Sequence, residues 1–236
     1  MSTVHSRIGY GDNSLLAGIL RAAACSEPDV QASPVLGGVH LASVGGSIRC
    51  TATDGKILAR IYAWQAGIDL PQPVIIDRHS ILRVADLYRR SRGEFCRTLK
   101  RRDPSMGGAP LVTARLEVRP PTEAGNRTLR FLHIQVPSTD DGCVCRCING
   151  EFPAFEPQQE AYKRGFLPGS AFDPRKLVTA QRVLGTTSLT PYHGKRGVFF
   201  RAIDSDDFVL LMPISLPDPD EDLWIFGKPQ AQETAA

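Results

Sequence analysis

One run of nine residues, Phe208-Val209-Leu210-Leu211-Met212-Pro213-Ile214-Ser215-Leu216, constrains the fold of this chain more than any other stretch. It follows the polar Asp204-Ser205-Asp206-Asp207 and stops at Pro217, which reads as a strand between two breaks. Both of its faces are apolar as far as Met212. Such a strand is either buried or has its outer face covered by a partner. Pro213 has no N–H to donate, so ladder pairing weakens there, and Ile214 and Leu216 are left as apolar residues at a strand end. Two readings follow: the frayed end of a last core strand, or one wall of a binding groove.

The chain around it has 236 residues, enough for one or two domains and a sizeable core. At 42% hydrophobic and 22% charged residues, it has the composition of a soluble globular protein. No apolar run is long enough to span a membrane. The opening Met1-Ser2-Thr3-Val4-His5-Ser6-Arg7 lacks the apolar core of a signal peptide, which places the chain in the cytoplasm. The net charge of +3 hides an uneven distribution. Basic residues crowd between Arg83 and Arg102, and the stretch from Asp218 to Asp222 is acidic. That asymmetry is compatible with a nucleic-acid contact in the middle of the chain. The six cysteines, without a secretion signal, do not indicate disulfides.

Taken in order, Asp12-Asn13-Ser14 caps a helix carrying Leu15, Leu16, Ile19, Leu20 and Ala23 at helical spacing. Pro34 to Ala42 reads as a strand, Val44-Gly45-Gly46-Ser47 as a turn, and Ile48 to Tyr62 as two strands bent at Thr53-Asp54-Gly55. A short strand from Pro73 to Asp77 leads into a helix from about Arg78 to Arg90. Leu111 to Val118 and Thr128 to Val136 form a hairpin, and Gly142 to Ile148 another strand. The stretch from Pro157 to Glu160 reads as a linker. A helix from Asp173 to Leu184 follows, capped by Asp173 with Pro174 in its first turn. Strands over Gly197 to Ile203 and Phe208 to Leu216 complete an α+β plan with antiparallel sheets and one helix to each half-sheet.

Three separated segments together resemble the bacterial DNA polymerase sliding clamp, the beta subunit family. Ala52-Thr53-Asp54-Gly55-Lys56-Ile57-Leu58-Ala59 is similar to the family's Ala-Thr-Asp-Gly-His-Arg-Leu-Ala segment. Asn149-Gly150-Glu151-Phe152-Pro153-Ala154-Phe155 is similar to its Asp-Gly-Arg-Phe-Pro-Asp-Tyr. Leu211-Met212-Pro213-Ile214-Ser215-Leu216 is similar to its C-terminal Val-Met-Pro-Met-Arg-Leu. The resemblance implies a DNA-clamp-like fold of about one and a half clamp-type domains. Residues 1–157 would correspond to the family's middle domain, 158–216 to the second half of its last domain, and 217–236 would be a flexible tail.

The resemblance also implies a peptide-binding groove between the two parts. One side would carry Leu36, Thr53, Gly55, Lys56, Ile57 and Leu58. The other would carry Asp173, Lys176, Leu210, Leu211, Met212, Pro213, Ile214, Ser215 and Leu216, with Pro157 at the floor. Lys56-Ile57 replaces the family's His-Arg, and Ser215 its penultimate Arg, so this groove is expected to be less cationic. Its partners would be DNA polymerase or other clamp-binding proteins presenting a short motif of the type Gln-Leu-x-Leu-Phe. Leucine and phenylalanine side chains buried in such a groove contribute about 1.5–3 kcal/mol each. In the tail, Asp222-Leu223-Trp224-Ile225-Phe226 has the same apolar pattern. It would act as a clamp-binding motif on a groove of its own chain, of a second copy or of a host clamp; the alternative is ordinary core packing of Trp224 and Phe226. In the family, basic helices face DNA. The corresponding positions here are Arg21, Arg83, Arg89, Arg90, Arg175 and Arg182, with a solvated charged face as the alternative.

Cys143-Val144-Cys145-Arg146-Cys147 puts three thiols on one face of a strand. Alternate strand positions lie about 6.5–7 Å apart, too far for one tetrahedral ion, and the thiols read as small buried hydrophobes rather than metal ligands. The chain carries no phosphate-cradling glycine motif, and its five histidines have no nucleophile at a recognisable spacing. Neither an enzyme nor a cofactor is expected. The sequence therefore points to a clamp-like accessory protein of DNA replication or repair. The alternative is a DNA-binding or regulatory protein that reuses the fold without ring closure or a working groove.

Overall fold

The computed structural model describes residues 14–27, 29, 33–63, 68, 70–102, 112–119, 128–137, 140–153, 163–164, 172–186, 188–194, 197–201 and 206–212. Helix α1 spans Leu15–Ala23, and its N-cap Ser14 accepts from the Ala17 N–H through Oγ at 3.3 Å. Leu15, Leu16, Ile19 and Leu20 are fully buried. Gly18 lets the helix sit down on the sheet: a Cβ there would stand 3.2 Å from Ala63 Cβ and 3.3 Å from Cys50 Sγ.

Strands β1 (Val39–Val44), β2 (Ser47–Thr53) and β3 (Ile57–Ala63) form an antiparallel meander beneath α1. The expected strand over residues 34–42 begins only at Val39. Gly37 and Gly38 donate back to the Ser33 and Val35 carbonyls at 3.0 and 3.3 Å, and the chain turns where extended backbone was expected. The β1–β2 turn takes positive φ at both Gly45 (57°) and Gly46 (81°), the geometry of a two-residue hairpin.

After β4 (Val74–Ile76), helix α2 runs over Arg78–Arg102, with Asp77 Oδ1 accepting from the Ser80 N–H at 2.7 Å. The expected end near Arg90 is corrected: the helix passes through Gly93 and carries the whole basic run. Nothing in residues 91–102 breaks a helix more strongly than that one glycine, and Pro104 lies beyond. Strands β5 (Thr113–Arg119), β6 (Leu129–Val136) and β7 (Asp141–Ile148) form a second meander against α2.

The remaining elements are β8 (Lys163–Arg164), α3 (Pro174–Leu184), β9 (Thr190–Gly194), β10 (Gly197–Arg201) and β11 (Phe208–Leu211). Helix α3 is capped as expected, with Asp173 accepting from the Arg175 N–H and Gly185 closing it at φ 63°.

All eleven strands among the described residues join one sheet, in the order β5-β6-β7-β4-β1-β2-β3-β11-β10-β9-β8. The link between the two sequence-distant parts is the antiparallel pairing of β3 with β11. Side chains alternate across that seam. Ile57, Ala59 and Ile61 join Val209 and Leu211 in the main core under the helices. Leu58 and Leu210 join Phe199 and Phe208 in a second buried cluster. The two-faced apolar character of residues 208–211 is thus explained by burial on both sides.

Candidate functional site

The site expected at the seam is assembled from the β2–β3 turn, β11 and the start of α3. The turn locks itself. Thr53 Oγ1 donates to the Ile57 carbonyl at 2.8 Å and accepts from the Gly55 N–H at 3.0 Å. Asp54 Oδ1 accepts from the Lys56 and Ile57 N–H groups, each at 2.9 Å. Gly55, at φ 84°, supplies the left-handed residue that the bend requires. With so many bonds inside the turn, its outer residues Gly55 and Lys56 stay exposed on a fixed backbone.

Register then brings the second wall alongside. Ile57 lies opposite Leu211 and Leu58 opposite Leu210, and the Met212 N–H donates to the Lys56 carbonyl at 2.9 Å. Ile57, Leu58, Leu210 and Leu211 are buried, whereas Met212 is 44% exposed at the end of the seam. Lys176 of α3 reaches across to form an ion pair with the second carboxylate oxygen of Asp54. Asp173 is tied to the exposed Arg175, whose side-chain and backbone hydrogen bonds hold its carboxyl below the usual range. Leu36 is half-buried, and its carbonyl accepts from the Glu27 N–H at 2.9 Å just after α1.

Thr53, Gly55, Lys56, Ile57, Leu58, Leu210, Leu211 and Met212 are therefore contiguous, and the Lys176–Asp54 pair ties α3 to them. Pro157, Pro213, Ile214, Ser215, Leu216 and the tail motif Asp222, Leu223, Trp224, Ile225 and Phe226 lie outside the described residues. Two residues of the site were not singled out in the sequence. Asp54 reads there only as a turn former, yet it anchors both the turn and Lys176. Cys25 is buried, and burial first, then the Asp54 carboxylate, pushes its thiol far above the usual range. No sequence pattern marks it. The segment 149–153 packs on the sheet: Phe152 stacks on His40 with ring centroids 5.0 Å apart.

The basic positions divide. Arg21 is not a surface cation, and the expectation that it meets DNA is corrected. Its side chain is 8% exposed. One amine of the guanidinium donates to Asp207 Oδ2 at 2.8 Å and Nε donates to the Val183 carbonyl at 2.6 Å, while Asp207 Oδ1 accepts from the Tyr62 N–H at 2.7 Å. This buried cluster joins α1, β3, α3 and the residue before β11. Arg83, Arg89, Arg90, Arg175 and Arg182 are exposed. Arg83 donates to the Val144 carbonyl. Arg89 pairs with Asp86, and Arg90 with Asp86 and Asp141.

Cys145 and Cys147 are buried and Cys143 half-buried, all packed with the main core, so the three thiols do share one face. Among the described residues no group of three or more His, Cys, Asp or Glu is placed to hold a metal ion, and no helix is long and apolar enough to cross a membrane.

No protein-family model and no curated protein matches the chain. Solved structures do match. The DNA polymerase III subunit beta from Borrelia burgdorferi, in complex with a natural product, superposes with a TM-score of 0.58 at 11% identity, over 87% of this chain and 62% of that one. The beta subunit from Thermotoga maritima gives 0.53 at 12% identity, over 87% and 64%. The sliding clamp from Pseudomonas aeruginosa gives 0.52 at 17% identity, over 87% and 66%. The fold is that of these clamps, and the chain spans about 62–66% of their length.

Proposed function

We propose that this clamp-fold chain is a binding protein of DNA replication or repair that receives leucine- and phenylalanine-bearing partner peptides beside the β3–β11 seam. The observation that carries the reading is the Met212 N–H to Lys56 carbonyl bond, with the Asp54–Lys176 pair next to it. It brings two segments more than 150 positions apart in sequence into one surface, and these are the two segments that resemble the clamp groove. Met212 stands exposed there on a rigid frame, and an unbranched thioether side chain adapts to varied apolar guests. The residues at the site bury and orient a ligand; nothing in the reading calls for catalysis. The tail segment Asp222 to Phe226 is a candidate guest of the same surface.

Fluorescence-anisotropy titration with a labelled Gln-Leu-x-Leu-Phe peptide tests the proposal. Saturable binding is expected, and Met212→Glu should weaken it by about tenfold or more, since burying one such apolar side chain contributes roughly 1.5–3 kcal/mol. Equal affinity of the variant, or no saturable binding, would contradict it.

A second reading is favoured by the length of α2, which gathers the basic run to Arg102 on one element. Contact with DNA phosphates through that helix would fall steeply with salt. Retention on double-stranded DNA that is unchanged between low and high salt would remove this reading.

A further inference from the structure

Two of the thiols on β7 stand closer together than their spacing in sequence implies. Residues two apart on a strand lie about 6.5–7 Å from each other along the backbone. The Cys143 and Cys145 side chains nevertheless lean toward each other and bring their sulfurs to 3.9 Å. Both pack on the core that α2 helps to cover. Cys145 is fully buried and Cys143 half-buried, so the pair has one closed end and one end within reach of solvent.

Two thiols so placed can form a disulfide or share an ion. The backbone disfavours the disulfide. That bond wants Cα atoms about 4.4–6.8 Å apart and Cβ atoms about 3.5–4.5 Å apart, so β7 would have to buckle between its two cysteines. The strand is held straight instead, because β6 pairs with it in unbroken register from Val136↔Asp141 to Phe131↔Arg146.

The sulfur separation suits the shared ion. An ion about 2.3 Å from each sulfur, the length of a metal–thiolate bond, joins sulfurs 3.9 Å apart at an angle of about 116°. The backbone stays where it is, and the two thiols release their protons to solvent as the ion binds.

The surroundings select the ion. Ile134 lies opposite Cys143 and Leu132 opposite Cys145, and both are fully buried. The Asp141 carboxylate is tied to Arg90 at 3.0 Å. Among the described residues no third His, Cys, Asp or Glu is placed to complete a set. Structural zinc takes four ligands, and calcium and magnesium take oxygen. Cu(I) is the soft ion that accepts thiolates at low coordination number.

Charge agrees with that choice. Two thiolates on a monovalent ion leave one negative charge, which is costly in a half-buried place unless it is balanced. Arg83 reaches the backbone between the two cysteines, donating to the Val144 carbonyl at 3.1 Å, and both Arg83 and Arg90 act on the Cys143 sulfur.

We infer that Cys143 and Cys145 form a binding site for a soft monovalent cation, Cu(I), held between the two sulfurs and balanced by Arg83 and Arg90.

Anaerobic titration of the full, reduced chain with Cu(I) buffered by a competing chelator tests it. One copper per chain is expected, with growth of a thiolate-to-copper charge-transfer band and sulfur neighbours in X-ray absorption. Cys143→Ser and Cys145→Ala should each weaken binding at least about a hundredfold. Cys96→Ser and Cys147→Ser should hold the ion as the native chain does. Labelling of the native chain decides the matter should a variant fail to fold. Cu(I) should slow iodoacetamide modification of Cys143, read by peptide mass spectrometry, and an equal concentration of Zn(II) should not. No copper taken from the chelator, nitrogen or oxygen neighbours in place of sulfur, or native affinity in Cys143→Ser would each overturn the inference. So would an equal loss in Cys96→Ser or Cys147→Ser, or protection of Cys143 by Zn(II) as strong as by Cu(I).

Discussion

At the scale of single residues, the Arg21–Asp207 pair sets the clearest test. Both side chains are almost fully buried, at 8% and 3% exposure, and the Asp207 carboxylate joins α1 to β3 through Arg21 and the Tyr62 N–H. Removing one member of such a pair leaves a charge uncompensated in the interior. Arg21→Met should therefore cost about 3–5 kcal/mol of unfolding free energy in urea titration. Retention of native stability would show that the arginine is free to face solvent. His40 gives a prediction in pH. Its pKa is lowered from 6.5, first by burial, then by the charges of Arg49 and Arg60. The unfolded chain binds that proton more readily, so the contribution of neutral His40 is complete above about pH 6.5. It is lost as pH falls from there through the depressed folded value. His40→Phe should flatten the acid limb of stability between about pH 7 and 5, provided the Phe152 stack is kept. Neither role was legible in the sequence. Asp207 reads there as part of a polar turn, 186 positions from Arg21, and His40 only as one position of the strand expected over residues 34–42.

At the scale of elements, local signals are legible where they lie close together in sequence. Ser14, Asp173 with Pro174, and the Gly45-Gly46 pair each fix a terminus or turn within a few residues, and each stands where the pattern placed it. A local rule misleads where it competes with continuity of an element. Gly93 weakens a helix without ending it, so α2 runs to Arg102. Since Gly93 is exposed in a helix interior, Gly93→Ala should raise stability by about 0.5–1 kcal/mol, measured by thermal or urea unfolding. A neutral or destabilising result would indicate that the helix ends before it. Strand β9 carries no strand signal in the sequence, because Thr190-Pro191-Tyr192-His193-Gly194 has no alternation and holds a proline; its strand character comes from pairing with β10. The hairpin of β5 and β6 is visible as two runs, but the place of β5 at the end of the sheet among the described residues is not, since strand order is a property of the assembled sheet.

At the scale of the molecule, one sheet carries the two sequence-distant parts, and β3 against β11 is their joint. The apolar run at 208–211 made that joint partly legible, because a strand greasy on both faces must be covered on both. Its partner strand could not be read from spacing; it was suggested by the resemblance of Ala52 to Ala59 and Leu211 to Leu216 to two clamp segments. The account rests on that seam being the place where a guest peptide settles. Hydrogen–deuterium exchange of the full chain with and without a saturating Gln-Leu-x-Leu-Phe peptide measures this directly. The account predicts slowed exchange in residues 53–58 and 208–212 together, with the N-terminal turn of α3 following. Slowing confined to other segments, or the same exchange with and without peptide, would contradict it.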